Sequence, residues 1–298
     1  MKTSTGCIPC FLRQIKNYSK LLSYSKELEN SLSNEIQAQL EIISFKLSPP
    51  EIANKLRQII LKHTTVLDPF FELKKESNTE VLAIYSKLKA LLEFSSDKLL
   101  KSLELAIAGN IIDYGAKHDI NLENEIKEIL QRCDKYSLED SQFFDYKGFY
   151  KDFAKAENIL YIGDNCGEIV FDKLFIEEII RQYPLKKVTF TVRAKPVIND
   201  ATYEDAEAVG LADIVTVISS GCDTPGTVLK NASPEFLSKF KQADLIISKG
   251  QGNLESLSDC RDPRIYYLFV VKCDVVASHV KADKGTVVLT QYLERKND

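Results

Sequence analysis

The sequence predicts an α/β fold, with a mostly parallel sheet carrying helices on its faces and a helical domain before it. Three observations predict it. Up to about residue 150 the apolar residues recur at helical spacing, and no β-branched alternation interrupts them. From residue 151 the pattern becomes a short apolar run, a loop and a helix, repeated, as in parallel strands joined by crossover helices. Polar clusters then fall just beyond the predicted strands, on the edge where open parallel sheets bind ligands. The division is therefore 1–150, helical, and 151–298, a Rossmann-like metal-binding half.

In the first half, Ser48-Pro49-Pro50-Glu51 reads as a capping box with prolines in the first helical turn. Ile52, Leu56, Ile59, Ile60 and His63 then share one face of the helix it starts. Ser77-Asn78-Thr79-Glu80 reads as another start signal, ahead of Val81, Ile84, Leu88 and Leu91. A further helix is predicted from about Asp97 through Leu99, Leu103 and Ile107 until Gly109 and Gly115. The polar and aromatic stretch Lys135–Lys151 leads into the second half. Its predicted strands are Ile159–Ile162, Val188–Val192, Ile214–Ile218, Leu245–Ser248, Tyr266–Val271 and Val287–Thr290.

Composition narrows the function. The 298 residues are 44% hydrophobic and 28% charged, with a formal charge of −4, so no global field attracts nucleic acid or an anionic membrane. No apolar run is long enough to cross a bilayer, and Met1-Lys2-Thr3-Ser4-Thr5 leads into no signal-peptide core. Seven cysteines, an odd count without an export signal, read as reduced thiols. A cytoplasmic protein acting on a small molecule is the expectation.

The chemistry concentrates at four strand ends. Gly163-Asp164-Asn165-Cys166-Gly167-Glu168 follows the first strand. Arg193 to Thr202, with Asn199 and Asp200, follows the second, and Ser219 to Gly226 the third. Lys249-Gly250-Gln251-Gly252-Asn253 follows the fourth. A Gly-Asp-Asn alone is more often a turn, and Lys-Gly-Gln-Gly can merely cap a strand; their common edge is what points to a site. Neighbouring strands lie roughly 5 Å apart, so Asp164 and Asp200 can share one ion, with Asn165 adding a neutral oxygen. A divalent cation held this way suits a phosphate ester, whose charge it neutralises. Lysines and backbone N–H groups of the Lys249-Gly250 turn, and Lys272 at the end of the fifth strand, are the candidates for the remaining phosphate oxygens.

Taken in order, these segments resemble the DUF89 family, the damage-control phosphatases of the ARMT1-like domain. The matching stretches are Gly163 to Glu168 with Phe171-Asp172, Arg193-x-x-Pro196-x-x-Asn199-Asp200-x-Thr202, and Ser248 to Asn253. Cys7-x-x-Cys10, Asp68-Pro69 with Ser77-Asn78, and Ala108-Gly109-Asn110-x-x-Asp113 carry the likeness through the helical half. The Cys-x-x-Cys resembles the prokaryotic and archaeal branch. The resemblance implies an α/β/α sandwich and a metal-dependent phosphatase of small phosphorylated metabolites, using manganese, nickel, cobalt or magnesium. It implies Asp164, Asn165 and Asp200 as metal ligands, and Asn110 and Asp113 lining the pocket. It also implies Asn253 and Lys272 as substrate contacts. Glu168 and Asp113 are the acid or base candidates, and either water or the Asp164 carboxylate attacks phosphorus. This chain has Asn253-Leu254-Glu255 where the eukaryotic branch has an Asn-Tyr-Arg type sequence, so that branch's sugar-phosphate preference does not carry over.

Two other readings use the same residues. A strand followed by Gly-Asp-Asn-x-Gly partly resembles the first loop of S-adenosylmethionine-dependent methyltransferases, though it is poorer in glycine. A non-catalytic protein could also bind a phosphorylated metabolite without turning it over. Cys7 and Cys10 read as a structural or weak metal-binding pair, to which Cys133 or His118 lends no spacing support. Cys166 reads as a small neutral filler of the site. His63 reads as a packed residue, and His279 lies beyond the fifth strand. Lys74-Lys75-Glu76 reads as solvated surface.

Overall fold

A computed structural model describes residues 1–110, 124, 127, 131 and 142–291. Helices α1 (Ile8–Leu21), α2 (Lys26–Ile42), α3 (Pro49–Leu61), α4 (Phe71–Ala83), α5 (Tyr85–Glu93) and α6 (Lys98–Gly109) come first, followed by α7 (Tyr146–Lys155). Strands and helices then alternate as β1 (Asn158–Ile162), α8 (Glu168–Gln182), β2 (Lys187–Val192), α9 (Tyr203–Ala208) and β3 (Thr216–Ser219). The chain continues through α10 (Pro234–Gln242), β4 (Leu245–Lys249), α11 (Gln251–Leu257), β5 (Ile265–Val270), α12 (Asp274–Val280) and β6 (Val287–Thr290). Among the described residues, no helix is long and apolar enough to cross a membrane.

The six strands lie in the order β3-β2-β1-β4-β5-β6. The first five are parallel, and β6 closes the edge against β5 in antiparallel register, Leu268 opposite Leu289. Helices cover both faces, which is why β4 and β5 are apolar along most of their length and buried throughout. Tyr161, Phe190, Ile247 and Leu268 pack on one face against α6 and α8. Leu160, Ile246 and Phe269 pack on the other against α10, α11 and α12. The α/β/α sandwich is the architecture the sequence predicts.

The cores do not divide at residue 150. Leu88, Leu99, Leu103 and Ile107 of α5 and α6 join the sheet core through α8. Helices α1 to α3 have a core of their own, built from Phe11, Ile15, Tyr18, Ile36, Leu56 and Ile60 with Phe70. That cap meets the α/β half at Ile198, in the loop after β2, and at Val275, at the start of α12.

The local signals hold at Ser48, which makes its capping box with Glu51, and at Asp97, whose carboxylate accepts from Leu100 N–H. They do not hold at Ser77-Asn78, which lies inside α4. That helix starts at Phe71, behind an Asp68 carboxylate that accepts from Phe70 N–H at 3.0 Å. Ser77 bonds the carbonyl of Leu73, one turn back, and Asn78 is used in the site below. Strand β3 begins at Thr216 rather than Ile214, because Ile214 and Val215 both donate to Leu211 O in the preceding turn. His63 lies past the end of α3 and is exposed, while Lys74 is buried and ion-paired.

Candidate functional site

The chain leaves β1 towards β2 on one side, then returns from β3 to place β4 on the other side of β1. A topological switch point therefore falls between the ends of β1 and β4, the crevice in which open α/β sheets bind their ligands. Gly163 carries the β1 ladder one step further by donating to Thr191 O at 3.0 Å. A Cβ at Gly163 would lie 2.6 Å from the Phe190 ring, so the loop needs glycine there. The β1 and β2 loops then pair: Ala201 N donates to Asp164 O at 2.8 Å, Cys166 N donates to Asn199 O at 2.9 Å, and Asn165 bridges Asp200 in antiparallel fashion. Asp164, Asn165 and Asp200 are thus brought together by backbone hydrogen bonds.

Helix α4 fixes this pairing from the helical side. The Asn78 amide oxygen accepts from Gly167 N–H at 2.6 Å. The Lys74 ammonium sits 2.8 Å from Asp68 and 2.7 Å from Asp205. Asp205 in turn caps α9 by accepting from the N–H and hydroxyl of Thr202, two residues beyond Asp200. Burial pulls the Lys74 ammonium down, but Asp205 and Asp68 outweigh it and raise its pKa to about 12.

Arg193, just after β2, is the pivot of the acid cluster. Its Nε donates to Asp200 Oδ2 at 2.6 Å, and its Nη2 lies 3.6 Å from Asp164 Oδ1. The remaining guanidinium donors reach Thr227 Oγ1 and Asn253 Oδ1. On the far side of Asp164, Asn110 and Asn165 direct amide N–H groups at Oδ2, at 3.4 and 2.9 Å. The Asn110 amide also bonds Glu168 at 3.0 Å and accepts from Val270 N–H. Burial pushes the Asp164 carboxyl well above the usual carboxylate range, and the charges of Asp200 and Glu168 add to it. Burial also raises Asp200, against the pull of Arg193.

Beneath this lies a second buried cluster. Lys249, at the end of β4, has its ammonium 2.7 Å from Glu168 Oε1, 2.5 Å from Asp172 Oδ1 and 2.8 Å from the carbonyl of Ala106 in α6. Tyr161 donates to the same Asp172 oxygen at 2.6 Å. Burial lifts Asp172 to about 7, even with Lys249 opposing.

Gly250 follows, with φ +78° and ψ 161°, a region open only to glycine. A Cβ here would fall 1.8 Å from Asp164 Oδ2, so the carboxylate rests directly on this backbone. Ile198, by contrast, is a β-branched residue with φ +41°, two positions before Asp200. Such a conformation costs on the order of 1–3 kcal/mol and persists only where its surroundings enforce it.

The arrangement fits a divalent cation. Four buried acids (Asp164, Glu168, Asp172, Asp200) share two buried cations (Arg193, Lys249), and the raised Asp164 and Asp200 show how poorly the cluster holds its negative charge without a further cation. Among the described residues, no three His, Cys, Asp or Glu side chains form a cage of metal-ligand geometry. The donors available are two carboxylates and an amide, which are hard oxygen ligands.

The structure brings Asp164, Asn165, Asp200, Glu168 and Asn110 into one cluster, and it gives others different work. Lys249 is enclosed by acceptors, so it neutralises buried acids rather than reaching a phosphate. The Gly250 N–H is spent on Leu268 O, and the glycine instead makes room for Asp164. Asn253 uses its whole amide internally: it accepts from Thr227 N–H and Arg193, and donates to Gly163 O and Lys249 O. It is a clasp between loops rather than a substrate contact. Glu168 has both oxygens engaged, by Lys249 and by Asn110 and Asn165, so it orients amides as well as any proton. Lys272 is exposed beyond β5, and its charge opposes the rise of the Asp164 carboxyl. Asp113, His118 and Cys133 lie outside the described residues.

Sequence reasoning gave Asn78, Asp172 and Arg193 only as positions of the family resemblance, without a role, read Lys74 as surface, and took Tyr161 as a strand residue. Asp172 had a signal, being one helical turn from Glu168 and so on the same face. Nothing in the chain pattern pointed to the Asn78 contact, since only the fold carries α4 to Gly167.

Cys7 is buried and Cys10 exposed, and the six described cysteines are all free. Burial raises both thiols, and the charges of Glu255 and Cys273 push the same way. The charges acting on His279 are those of the amino terminus and Asp259, not the crevice acids. Burial lifts Glu255 itself from 4.5 to about 7. Because the folded value is the higher one, this group favours folding below about pH 4.5 and loses that contribution as pH rises through 7. Glu255→Gln is expected to flatten that decline and to add about 1–3 kcal/mol above pH 7. Thermal melts from pH 4.5 to 8 measure it; parallel profiles for the two proteins would rule it out.

Comparisons with known proteins agree with this geometry. A family profile described as the damage-control phosphatase ARMT1-like domain matches residues 3–288. Damage-control phosphatase PH1575 of Pyrococcus horikoshii is 36% identical over 295 residues, covering 97% of each chain. A damage-control phosphatase of Archaeoglobus fulgidus is 29% identical over 97% of this chain and 98% of its own. The crystal structure of the DUF89 family protein PH1575 superposes with a TM-score of 0.86 at 31% identity, covering 98% of this chain and 99% of that one. With the helical cap and the acid-lined crevice both inside the matched span, this chain belongs to the damage-control phosphatase ARMT1-like domain family.

Proposed function

We propose that the protein is a divalent-metal-dependent phosphatase that hydrolyses phosphomonoesters of small metabolites in the cytoplasm. The observation that carries the reading is the convergence of Asp164, Asn165 and Asp200 in the crevice between β1 and β4, in a buried cluster short of positive charge. Membership of the family supports it. Asp164, Asn165 and Asp200 would hold the ion, which can be manganese, nickel, cobalt or magnesium. Bound there, it would supply positive charge against the phosphate and polarise the P–O bond.

The chain's own residues set the rest. Arg193 keeps the two aspartates side by side, while Asn110 and Glu168 fix the orientation of Asp164 and Asn165. Lys272, exposed beyond the end of β5, would meet phosphate oxygens. Hydrolysis forms a bond from water oxygen to phosphorus and breaks the ester P–O bond, and the departing alcohol takes up a proton.

Purified protein should release phosphate from an aryl phosphate only with added divalent metal, and Asp164→Ala should lower the rate by about two orders of magnitude or more. Activity indifferent to both chelation and Asp164→Ala would end the proposal. A phosphorylated ligand left intact after long incubation with metal-loaded protein would favour a sensor. Methylation of an acceptor without phosphate release would favour methyl transfer.

A further inference from the structure

Helix α3 of the cap reaches the loops of the α/β half through Arg57. Arg57, on α3, is buried, and its guanidinium spans two loops of the α/β half. Nη1 donates to Pro196 O and Nη2 to Asp223 O, each at 3.0 Å. Asn54, one turn earlier, accepts from the same guanidinium and donates to the Asp223 carboxylate at 3.1 Å. Tyr18, on α1, is buried too, and its hydroxyl faces the backbone of Ile198 and the Arg57 side chain. Ile198 packs against the cap core in its left-handed conformation.

From that residue the chain runs directly into the metal-site pairing. Asn199 O accepts from Cys166 N–H, and Asp200 stands opposite Asn165. A β-branched residue left to itself leaves this region of backbone space, so something must hold it there. A turn bond from Asp200 N–H to Val197 O at 3.0 Å spans it locally, and the side-chain contacts that brace it come from the cap, about 140–180 residues earlier in the sequence.

We propose that Arg57 and Tyr18 are positioning residues for Asp200: they clamp the segment 194–199 in a strained conformation that sets this carboxylate beside Asp164 and Asn165. The clamp rests on the metal reading of that trio. It gives the helical cap a part in assembling the site, although neither residue touches the acids. Removing it lets Ile198 relax and lets Asp200 drift from its partners. Glycine at position 198 occupies the same backbone region without steric cost, so it removes the need for the clamp.

The test uses the full-length protein in two measurements. Mn2+ affinity is read by electron paramagnetic resonance of the free ion, and amide hydrogen exchange of residues 194–201 is read without metal. Arg57→Gln is expected to weaken Mn2+ binding about tenfold and to speed exchange in 194–201 to a similar degree, with α3 still protected. Tyr18→Phe, which keeps the ring in the core, should shift both readings less and in the same direction. The double variant Arg57→Gln, Ile198→Gly should bind Mn2+ more tightly than Arg57→Gln alone, a recovery that a purely structural role would not produce. Affinities within twofold of the native protein and unchanged exchange in both single variants would overturn the clamp. So would a double variant no better than Arg57→Gln. Native protein that takes up no Mn2+ would overturn the metal reading instead, and the exchange data would then decide the clamp alone.

Discussion

Replacing Lys249 with methionine is expected to destabilise the protein by about 3–5 kcal/mol, because it strips a buried ion cluster of its cation. The ammonium lies between Glu168, Asp172 and the Ala106 carbonyl, with no exposure to solvent. Without it, Glu168 and Asp172 face each other across a dry interior, and both carboxylates must protonate or draw in water. A loss of this size lowers the melting temperature by on the order of 10 °C in a chain this long. The cluster also joins α6 to β4 and α8, so the damage spreads to the orientation of Asn110 and Glu168, and activity should fall with stability. Adding Asp172→Asn to the variant removes one stranded charge and should recover part of the loss. A thermal melt of the three proteins decides it. A Lys249→Met protein melting within 2–3 °C of the native one would show that the cluster does not depend on this cation.

Gly250→Ala carries the largest expected effect on function. One methyl group would overlap the Asp164 carboxylate on a backbone that disfavours any side chain. Either Asp164 leaves its place beside Asp200 and Asn165, or the loop after β4 shifts and takes Asn253 and Lys249 with it. Both outcomes separate the proposed metal donors. Phosphate release should drop by about two to three orders of magnitude, and Mn2+ affinity should drop with it. Stability should fall by only about 1–3 kcal/mol, the cost of one strained residue. That split between a large loss of activity and a modest loss of stability is the check. A variant retaining more than a tenth of native activity would mean that Asp164 tolerates displacement.

Much of the fold was legible because it rests on local patterns. The apolar runs of β1, β4 and β5 are buried on both faces, and Ser48-Pro49-Pro50-Glu51 caps a helix whatever surrounds it. The acid trio was legible for a related reason, since each member follows a strand end and parallel strands align those ends. What the sequence concealed depends on distant partners. Lys249 looks like a phosphate-binding lysine until α6 and α8 enclose it. Lys74 looks like surface until Asp205 arrives from beyond β2. Asn253 has the composition of a substrate contact, yet four backbone and side-chain groups from three loops consume its amide. Ser77-Asn78 carries the residues of a helix start but sits in the middle of one, because the chain already turns into the helix behind Asp68.

The bonds from Asn78 to Gly167 and from Lys74 to Asp205 also bear on how such a protein can change over time. Its acid-bearing loops are not a self-sufficient cassette on a generic sheet, for part of their scaffold is encoded about 90 to 130 residues upstream. Grafting the carboxyl-terminal half onto a foreign helical partner would deliver the acids without the struts that align them. Drift in the amino-terminal helices is therefore constrained by chemistry they never perform, and the two halves must be inherited as a unit.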